Sequence, residues 1–249
     1  MGVSRSSSWW ATMTTDPPPL RLVERAIQAV GEDVLRVPAE RSWQQRGERD
    51  LWNVLVACIL GSGVSHEHAS RAMARLSEGT LMQAWSTPID PDATQSETSL
   101  LLAPRMSEDG GRVSGYRFAR SRSRWLTLAA MSLYGSGPTL QEMLARALSP
   151  ADARSAIIRK VPGIGPKQAS LFLRNVGYSD DLAVIDRHVM RYMEWSGLAI
   201  APVSPALGLA RYLAFEARLR SEADRFRLPL GVFDLAVWIV VRTCLRGDA

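Results

Sequence analysis

The two lysines of the sequence are the first candidates for chemistry, because nearly every other basic residue is an arginine. Of the 30 basic residues 28 are arginine, and the lysines are Lys160 and Lys167. A lysine can lose its proton near neutral pH and act as an amine nucleophile, which an arginine cannot do. Lys167 would stand at the start of a helix, where the helix dipole and partial burial both favour the neutral amine. The alternative is a lysine that only pairs with phosphate or faces solvent.

The residues before Lys167 predict a helix–hairpin–helix over residues 150–177. Pro150–Lys160 is predicted as the first helix, residues 161–165 as a tight hairpin, and Pro166 as the start of a second helix. Glycines in the hairpin allow positive φ, and a phosphate can reach bare N–H groups at the positive end of the second helix. Such a motif grips DNA without reading its sequence. The alternative is an ordinary turn between helices. The predicted DNA-binding residues are Val161, Gly163, Ile164 and Gly165.

A carboxylate that could assist Lys167 lies nineteen residues further along, at Asp186. Asp186 is predicted to cap the helix Arg187–Trp195, which would fix its carboxylate in place and keep it ionised. A fixed carboxylate can stabilise positive charge that develops at the C1′ atom of a sugar. The apolar residues 183–185 would bring Asp186 back beside Lys167. A purely capping aspartate is the alternative.

Composition and length set broad limits on the class of protein. The chain has 249 residues, with 46% hydrophobic and 22% charged residues, as in globular proteins of one or two domains. Two cysteines, Cys58 and Cys244, are too few for a disulfide framework or a four-cysteine metal cluster. The longest apolar stretches, residues 51–60 and 232–241, are shorter than the roughly 20 residues that span a membrane. We therefore expect a cytoplasmic protein, and its net charge of +5 permits a polyanionic partner.

Apolar residues recur at helical spacing over most of the chain, which predicts an all-α fold of about nine helices. The first helix is expected to close at Gly31, and the buried helix of residues 51–60 to end at Gly61-Ser62-Gly63. Residues 182–185 are the only strand candidate. Two lobes are predicted, one from the first helices with the C-terminal end and one from the middle of the chain.

Two segments break this helical pattern. Residues 1–19 are rich in Ser and Thr and end in three prolines, so they are predicted to be a disordered leader. Residues 86–115 carry several prolines and glycines among polar residues, which predicts an inserted polar loop. The remaining boundaries follow from caps at Thr139, Ser149 and Ser204.

The stretches GIGPKQASLFLRNVGY and AVIDRHVMRYM resemble the helix–hairpin–helix (HhH-GPD) DNA glycosylase superfamily, and within it the archaeal-type 8-oxoguanine DNA glycosylase/lyase branch. The resemblance extends to residues 51–65, to Tyr116-Arg117-Phe118 and to Asp234-x-x-x-Trp238. It implies one two-lobed helical domain over residues 20–249, with the active site between the lobes. It further implies that Lys167 is a Schiff-base nucleophile and Asp186 the catalytic carboxylate. Phe118, Asp234 and Trp238 are implied to line the pocket for a flipped base.

The sequence departs from this family around the base and the opposite strand. Family members usually carry Asn or Gln as a wedge in the gap left by the flipped base, where this chain has Ser62-Gly63. The chain ends in Arg-Gly-Asp-Ala instead of the lysine that the branch directs at 8-oxoguanine. The resemblance therefore supports the reaction of this family more firmly than it supports the substrate.

The resemblance implies an enzyme that flips and excises a modified base from double-stranded DNA. The default substrate is 8-oxoguanine, and the altered wedge and terminus leave room for a bulkier base, such as a hypermodified base of phage DNA in antiphage defence. No cofactor or catalytic metal is implied, apart from a monovalent cation that the hairpin carbonyls can hold. We expect a monomer. The alternatives are a non-catalytic DNA-binding module and an all-α interaction scaffold, neither of which explains Lys167 together with Asp186.

Overall fold

The computed structural model describes residues 19–37, 42–106, 112–199 and 207–245, which form eleven α-helices and one short antiparallel ribbon. The helices are α1 (Leu20–Arg36), α2 (Glu48–Leu60), α3 (His66–Leu76), α4 (Pro91–Leu102), α5 (Ala119–Ala130), α6 (Leu140–Arg146), α7 (Pro150–Lys160), α8 (Pro166–Asn175), α9 (Arg187–Trp195), α10 (Leu209–Phe226) and α11 (Leu230–Cys244). The ribbon pairs β1 (Arg105–Met106) with β2 (Arg112–Val113). The all-α prediction is confirmed, with more helices than expected. Within the described ranges, no helix is both long enough and apolar enough to cross a membrane.

The predicted polar loop over residues 86–115 is wrong, because this segment contains α4 and the ribbon. Asp90 caps α4 and Pro91 occupies its first turn, so the proline begins a helix instead of breaking the chain. Few apolar residues mark this helix, and the side chains that it buries include Thr94 and Thr98.

Three other boundaries also differ from the sequence prediction. The strand candidate at residues 182–185 is wrong, because Leu182 lies in a bend and residues 183–185 belong to no strand. The first helix continues past Gly31 to Arg36, and Gly31 lies inside it, where a Cβ atom would collide with Leu228. The capping box of Thr139 and the cap by Ser149 are confirmed. The described residues do not include the predicted leader (except Pro19), the predicted cap at Ser204 or the last four residues.

Buried apolar side chains form two separate cores. The first core is built from α2 to α8, and the second from α1, α9, α10 and α11. The prediction of two lobes is therefore right in outline. Of the early helices, however, only α1 packs with the C-terminal end, where more than one was predicted. The chain passes from one core to the other between Leu182 and Ala183, immediately before Asp186.

Two buried ion pairs hold the two cores together. Arg154 of α7 donates two hydrogen bonds to the carboxylate of Glu216 in α10, at 2.6 and 2.8 Å. Arg174 of α8 pairs with Asp234 of α11. Each pair joins a helix of the first core to a helix of the second.

Replacing Arg154 by methionine is expected to lower the free energy of unfolding by about 3–5 kcal/mol, because Glu216 would stay buried without its partner charge. Urea denaturation followed by circular dichroism measures this loss. The control is Arg36→Met, which removes an ion pair with Asp33 whose side chains are 71% and 74% exposed; we expect a change below about 1 kcal/mol. Similar losses for both variants would contradict a structural role for the buried pair.

Candidate active site

The predicted helix–hairpin–helix is present. Helix α7 begins and ends at the predicted residues, and α8 begins at Pro166 as predicted. Gly163 has a φ of +79°, as predicted, and a Cβ atom there would run into the ring of Trp125. Gly165 has extended backbone with a φ of −111°, so the prediction of positive φ is wrong at this position. Val161 and Ile164 are buried in the first core, so any contact they make with DNA is through their backbone.

The hairpin leaves backbone N–H groups open to an anion at the start of α8. The first intrahelical bond of α8 runs from the Ala169 N–H to the Gly165 carbonyl. The N–H groups of Gly165, Lys167 and Gln168 have no acceptor among the described residues. Apart from its neighbours in the chain, no atom of the described residues lies within 4 Å of the place where Gly165 would carry a Cβ. The packing of the fold therefore does not require glycine at position 165. The absence of a side chain there keeps the three N–H groups accessible to an anion.

Lys167 lies in the first turn of α8 and is half-buried. No described residue forms a hydrogen bond or an ion pair with its amine. Burial raises the pKa of the Cys58 thiol in α2 to about 12, and the positive charges of Lys167 and Arg174 oppose this rise. The amine is therefore within electrostatic reach of the last turn of α2. Lys160, by contrast, lies against Gly137.

Asp186 caps α9 as predicted, and both capping bonds use one oxygen. Its Oδ1 accepts the N–H groups of His188 at 2.8 Å and Val189 at 3.1 Å. Its Oδ2 has no hydrogen-bond partner among the described residues. The carboxylate is thus fixed by the helix while one oxygen stays available to another group.

Residues 183–185, the link that leads to Asp186, are held by hydrogen bonds to side chains and not by a sheet. The N–H of Ala183 donates to Glu216 at 2.9 Å, that of Val184 donates to Asp234, and that of Ile185 donates to the Tyr212 hydroxyl at 3.2 Å. The Tyr212 hydroxyl also donates to the Ala183 carbonyl at 2.6 Å. These bonds satisfy the backbone N–H groups of residues 183–185, so this apolar, strand-like sequence needs no partner strand.

Asp234 joins the helix of Lys167 to the link of Asp186. One of its oxygens accepts from Arg174, two turns after Lys167 in α8, and the other accepts from the Val184 N–H. Burial, with a smaller effect from the negative charge of Asp186, raises the pKa of Asp234 to about 6 against the opposing effects of Arg174 and the Val184 N–H. Asp186 therefore lies within electrostatic reach of Asp234. Asp234, which is implied to line the base pocket, is 1% exposed and has both of its carboxylate oxygens engaged by other residues of the protein.

The turn after α2, which contains Ser62 and Gly63, is held by residues around the start of α5. The Tyr116 hydroxyl donates to the Leu60 carbonyl at 2.5 Å, and Arg122 donates to the Ser62 carbonyl at 3.0 Å. Gly63 is exposed with a φ of +77°, and a Cβ atom there would lie 3.4 Å from the ring of Phe118. The wedge position therefore carries no side chain, but it lies directly beside Phe118.

Arg122 connects this turn to the hairpin. Its guanidinium lies 5.3 Å from the ring centroid of Phe118 and 4.5 Å from that of Trp125, the ring that packs against Gly163. Sequence reasoning missed Arg122, Arg154 and Arg174. The sequence contains 28 arginines, and nothing in the residue type itself shows which of them are buried. The apolar neighbours of Arg154 and Arg174 on their helices are the only sequence feature that indicates burial.

The two aromatic residues implied for the pocket lie in different clusters. Phe118 packs beside Gly63, at the first core. Trp238 lies on α11, with its ring 6.3 Å from that of His188 and 4.7 Å from the guanidinium of Arg242. His188 follows Asp186 by two residues, so Trp238 marks the Asp186 side of the site.

Comparison with known proteins agrees with this geometry. The family model for 8-oxoguanine DNA glycosylase matches residues 108–228, which include the hairpin, Lys167 and Asp186. The 8-oxoguanine DNA glycosylase/AP lyase of Sulfolobus acidocaldarius is 32% identical over 207 residues, covering 82% of this chain and 89% of that protein. That of Methanocaldococcus jannaschii is 28% identical over 222 residues, covering 88% of this chain and 94% of that protein.

Solved structures of the same kind of protein share the fold. The crystal structure of the Methanocaldococcus jannaschii 8-oxoguanine DNA glycosylase has a TM-score of 0.67 and 24% identity, covering 92% of this chain and 95% of that one. The Thermotoga maritima 8-oxoguanine DNA glycosylase has a TM-score of 0.62 and 27% identity, covering 89% and 95%. The fold agrees with the sequence match, and the 32% identity to the Sulfolobus acidocaldarius protein over 82% of this chain shows that the chain belongs to the family of 8-oxoguanine DNA glycosylase/AP lyases.

Proposed function

We propose that this protein is a DNA glycosylase with AP lyase activity, which excises a modified base from duplex DNA through Lys167. The observation that carries the proposal is the state of Lys167: an amine without a hydrogen-bond partner among the described residues, two residues after the hairpin and beside open N–H groups at the start of α8. The relatives named above carry the same activity in their names.

The proposed reaction begins with a phosphate bound at the N–H groups of Gly165, Lys167 and Gln168. The Lys167 amine attacks C1′ of the flipped nucleotide, the glycosidic C1′–N bond breaks, and the base leaves with the bonding electron pair and takes up a proton. One amine proton is the one that the base takes up, and the other goes to the ring oxygen O4′ as the C1′–O4′ bond breaks, which opens the sugar and leaves a C1′=N Schiff base. Loss of a C2′ proton and of the 3′ phosphate by β-elimination then nicks the strand.

Asp186 is proposed to act through its unpartnered Oδ2, which would stabilise the positive charge on the sugar as the C1′–N bond breaks. Its position depends on the cap of α9 and on Asp234, which ties the link before it to α8. Asp234 is therefore proposed as a positioning residue that keeps Asp186 and Lys167 in register.

The proposed substrate is an oxidised purine of the 8-oxoguanine type, the base named in the relatives. A second candidate, a bulky modified base as in hypermodified phage DNA, is favoured by Gly63, where the exposed backbone offers no wedge side chain. An enzyme of that kind would suit antiphage defence instead of repair. We further propose that the protein acts as a monomer. The carbonyls of Pro162 and Ile164, which accept no hydrogen bond from the described residues, are the proposed oxygen ligands of a monovalent cation.

A panel of duplexes, each with one modified base and scored for abasic sites and nicks, tests the function. Because Gly63 offers no wedge side chain, we expect 8-oxoguanine opposite cytosine to be excised, but weakly compared with another, bulkier modified base in the panel. Cleavage of 8-oxoguanine alone, with none of bulky modified pyrimidines, would assign the protein to the repair role. Failure to act on any base would favour a non-catalytic DNA-binding module.

Trp238→Ala is expected to slow excision of every accepted base, because Trp238 is proposed as a stacking surface for the flipped base. Stacking on an aromatic side chain contributes about 1–3 kcal/mol per base, which corresponds to roughly 5- to 150-fold in rate or affinity. The measurement is single-turnover excision at saturating enzyme. Trp43→Ala is the control, since Trp43 is also partly buried but packs against Tyr178. An equal loss in both variants would remove Trp238 from the pocket.

A further inference from the structure

The hydroxyl of Tyr212 joins two backbone groups of the link that leads to Asp186. Tyr212 lies in α10 and is 2% exposed. Its hydroxyl donates to the Ala183 carbonyl at 2.6 Å and accepts the Ile185 N–H at 3.2 Å. Ile185 is the residue immediately before Asp186. The hydroxyl therefore acts on the backbone next to the proposed catalytic carboxylate, independently of the cap of α9.

The same hydroxyl lies beside the helix of Lys167. Burial raises the pKa of the Tyr212 hydroxyl, and hydrogen bonds with the Ile185 N–H and the Ser170 hydroxyl oppose this rise. Ser170 follows Lys167 by three residues in α8, a spacing that puts both side chains on the same side of the helix. The Tyr212 hydroxyl is thus placed between the helix of the proposed nucleophile and the link of the proposed carboxylate.

Buried neighbours fix the position of Tyr212 itself. The Arg154 guanidinium lies 5.6 Å from the centroid of the Tyr212 ring. Arg154 also donates to the Ser170 hydroxyl at 3.2 Å and to both oxygens of Glu216. Glu216 stands one turn beyond Tyr212 in α10 and accepts the Ala183 N–H at 2.9 Å. A residue that is held by α7, α8 and α10 at once can in turn hold the link in place.

Tyr212 connects the two proposed catalytic residues over a shorter path than Asp234 does. Asp234 bonds to α8 two turns after Lys167 and to the Val184 N–H, two residues before Asp186. Tyr212 reaches α8 one turn after Lys167 and bonds to the residue directly before Asp186. Its hydroxyl is neutral, so it can be removed without leaving a buried charge unpaired.

We propose that Tyr212 is a positioning residue for base excision, whose hydroxyl sets the place of Asp186 relative to the sugar that Lys167 attacks. This inference rests on the proposed function and deepens it. A displacement of 1 Å in a catalytic site can lower a rate about 100-fold. The bonds of the link to Glu216 and Asp234 would remain, so we expect a loss of about 10-fold when the hydroxyl is removed.

Tyr212→Phe tests the proposal, because it removes the hydroxyl and keeps the ring that packs against Arg154. The measurement is single-turnover excision of the base that the duplex panel identifies, together with binding of an undamaged duplex. We expect excision to slow about 10-fold and binding to stay at the wild-type value. Tyr192→Phe is the matched control. Tyr192 is 0% exposed in the same core, and its hydroxyl donates to Glu222 at 2.8 Å, away from the link.

A double-mutant cycle with Asp186→Asn separates positioning from a purely structural role. If Tyr212 acts through the charge of Asp186, Tyr212→Phe should slow the Asp186→Asn variant by less than about 2-fold, because no charge is left to position. A further loss of about 10-fold in the double variant would show that the two residues act independently and would overturn the proposal. A wild-type rate in Tyr212→Phe, or an equal loss in Tyr192→Phe, would overturn it as well.

Two further measurements complete the test. Circular dichroism and thermal melting establish that each variant is folded. If Tyr212→Phe does not fold, hydrogen exchange of the Ile185 amide is measured in the wild-type protein: we expect protection as strong as that of the amides of α10, and rapid exchange would overturn the proposal. A wild-type protein that excises no base would reject the proposed function and this inference with it. An active wild type with independent losses in the cycle would reject this inference alone.

Discussion

Lys167→Arg is expected to abolish the covalent enzyme–DNA adduct that borohydride traps on a damaged duplex. Reduction can fix the adduct only if an amine has first formed a Schiff base with C1′. A guanidinium stays protonated at any pH at which the protein is folded, so it cannot form this bond. The substitution keeps the positive charge beside the hairpin, so binding to undamaged duplex should change little. The adduct is measured by denaturing gel electrophoresis on the base that the duplex panel identifies.

The second lysine provides a matched control for this experiment, because the chain holds only two. Lys160→Arg makes the same chemical change seven residues away, at the end of α7, where the side chain lies against Gly137. We expect Lys160→Arg to form the adduct at the wild-type rate. An adduct of wild-type yield in Lys167→Arg would exclude Lys167 as the nucleophile, and its loss only in Lys160→Arg would transfer that role to Lys160.

The parts of this site that could be predicted are those encoded over short distances. A serine followed by proline begins α7, glycine at 163 permits the positive φ of the hairpin, and Asp186 caps α9. Each depends on the residue itself and its neighbours within one helical turn. The same local reasoning gave a wrong prediction at α4. Proline occurs both in loops and in the first turn of helices, and Pro91 occupies the first turn of α4.

The parts that could not be predicted are pairings between distant helices. Arg154 and Glu216 are 62 residues apart, and Arg174 and Asp234 are 60 apart. Neither pair leaves a periodic pattern, because its two residues lie on different helices far apart in the chain. The N–H groups of Ala183 and Val184 bond to these same carboxylates instead of to a second strand, so the predicted strand is wrong. The positioning of Asp186 is therefore a tertiary property, although Asp186 itself is found from sequence.

Asp186→Asn is expected to slow base excision by about 100- to 1,000-fold while the protein stays folded and binds DNA. Asparagine keeps the Oδ1 atom that accepts the N–H groups of His188 and Val189, and asparagine is as good an N-cap as aspartate. Only the charge at the other atom is lost, and that charge is proposed to stabilise the sugar as the C1′–N bond breaks. Single-turnover excision, thermal melting and duplex binding are measured on the same preparation.

Asp90→Asn supplies the control that distinguishes a catalytic charge from a cap. Asp90 caps α4 with the same geometry, its Oδ1 accepting the N–H groups of Asp92 at 2.9 Å and Ala93 at 3.0 Å. If Asp186 acts only as a cap, both variants should lose similar amounts of stability, and excision per folded molecule should stay at the wild-type rate in both. If its charge acts on the sugar, the two melting temperatures should remain close together while excision falls in Asp186→Asn alone. Because the two aspartates make the same local bonds, a difference in rate would come from what each carboxylate faces beyond its own helix.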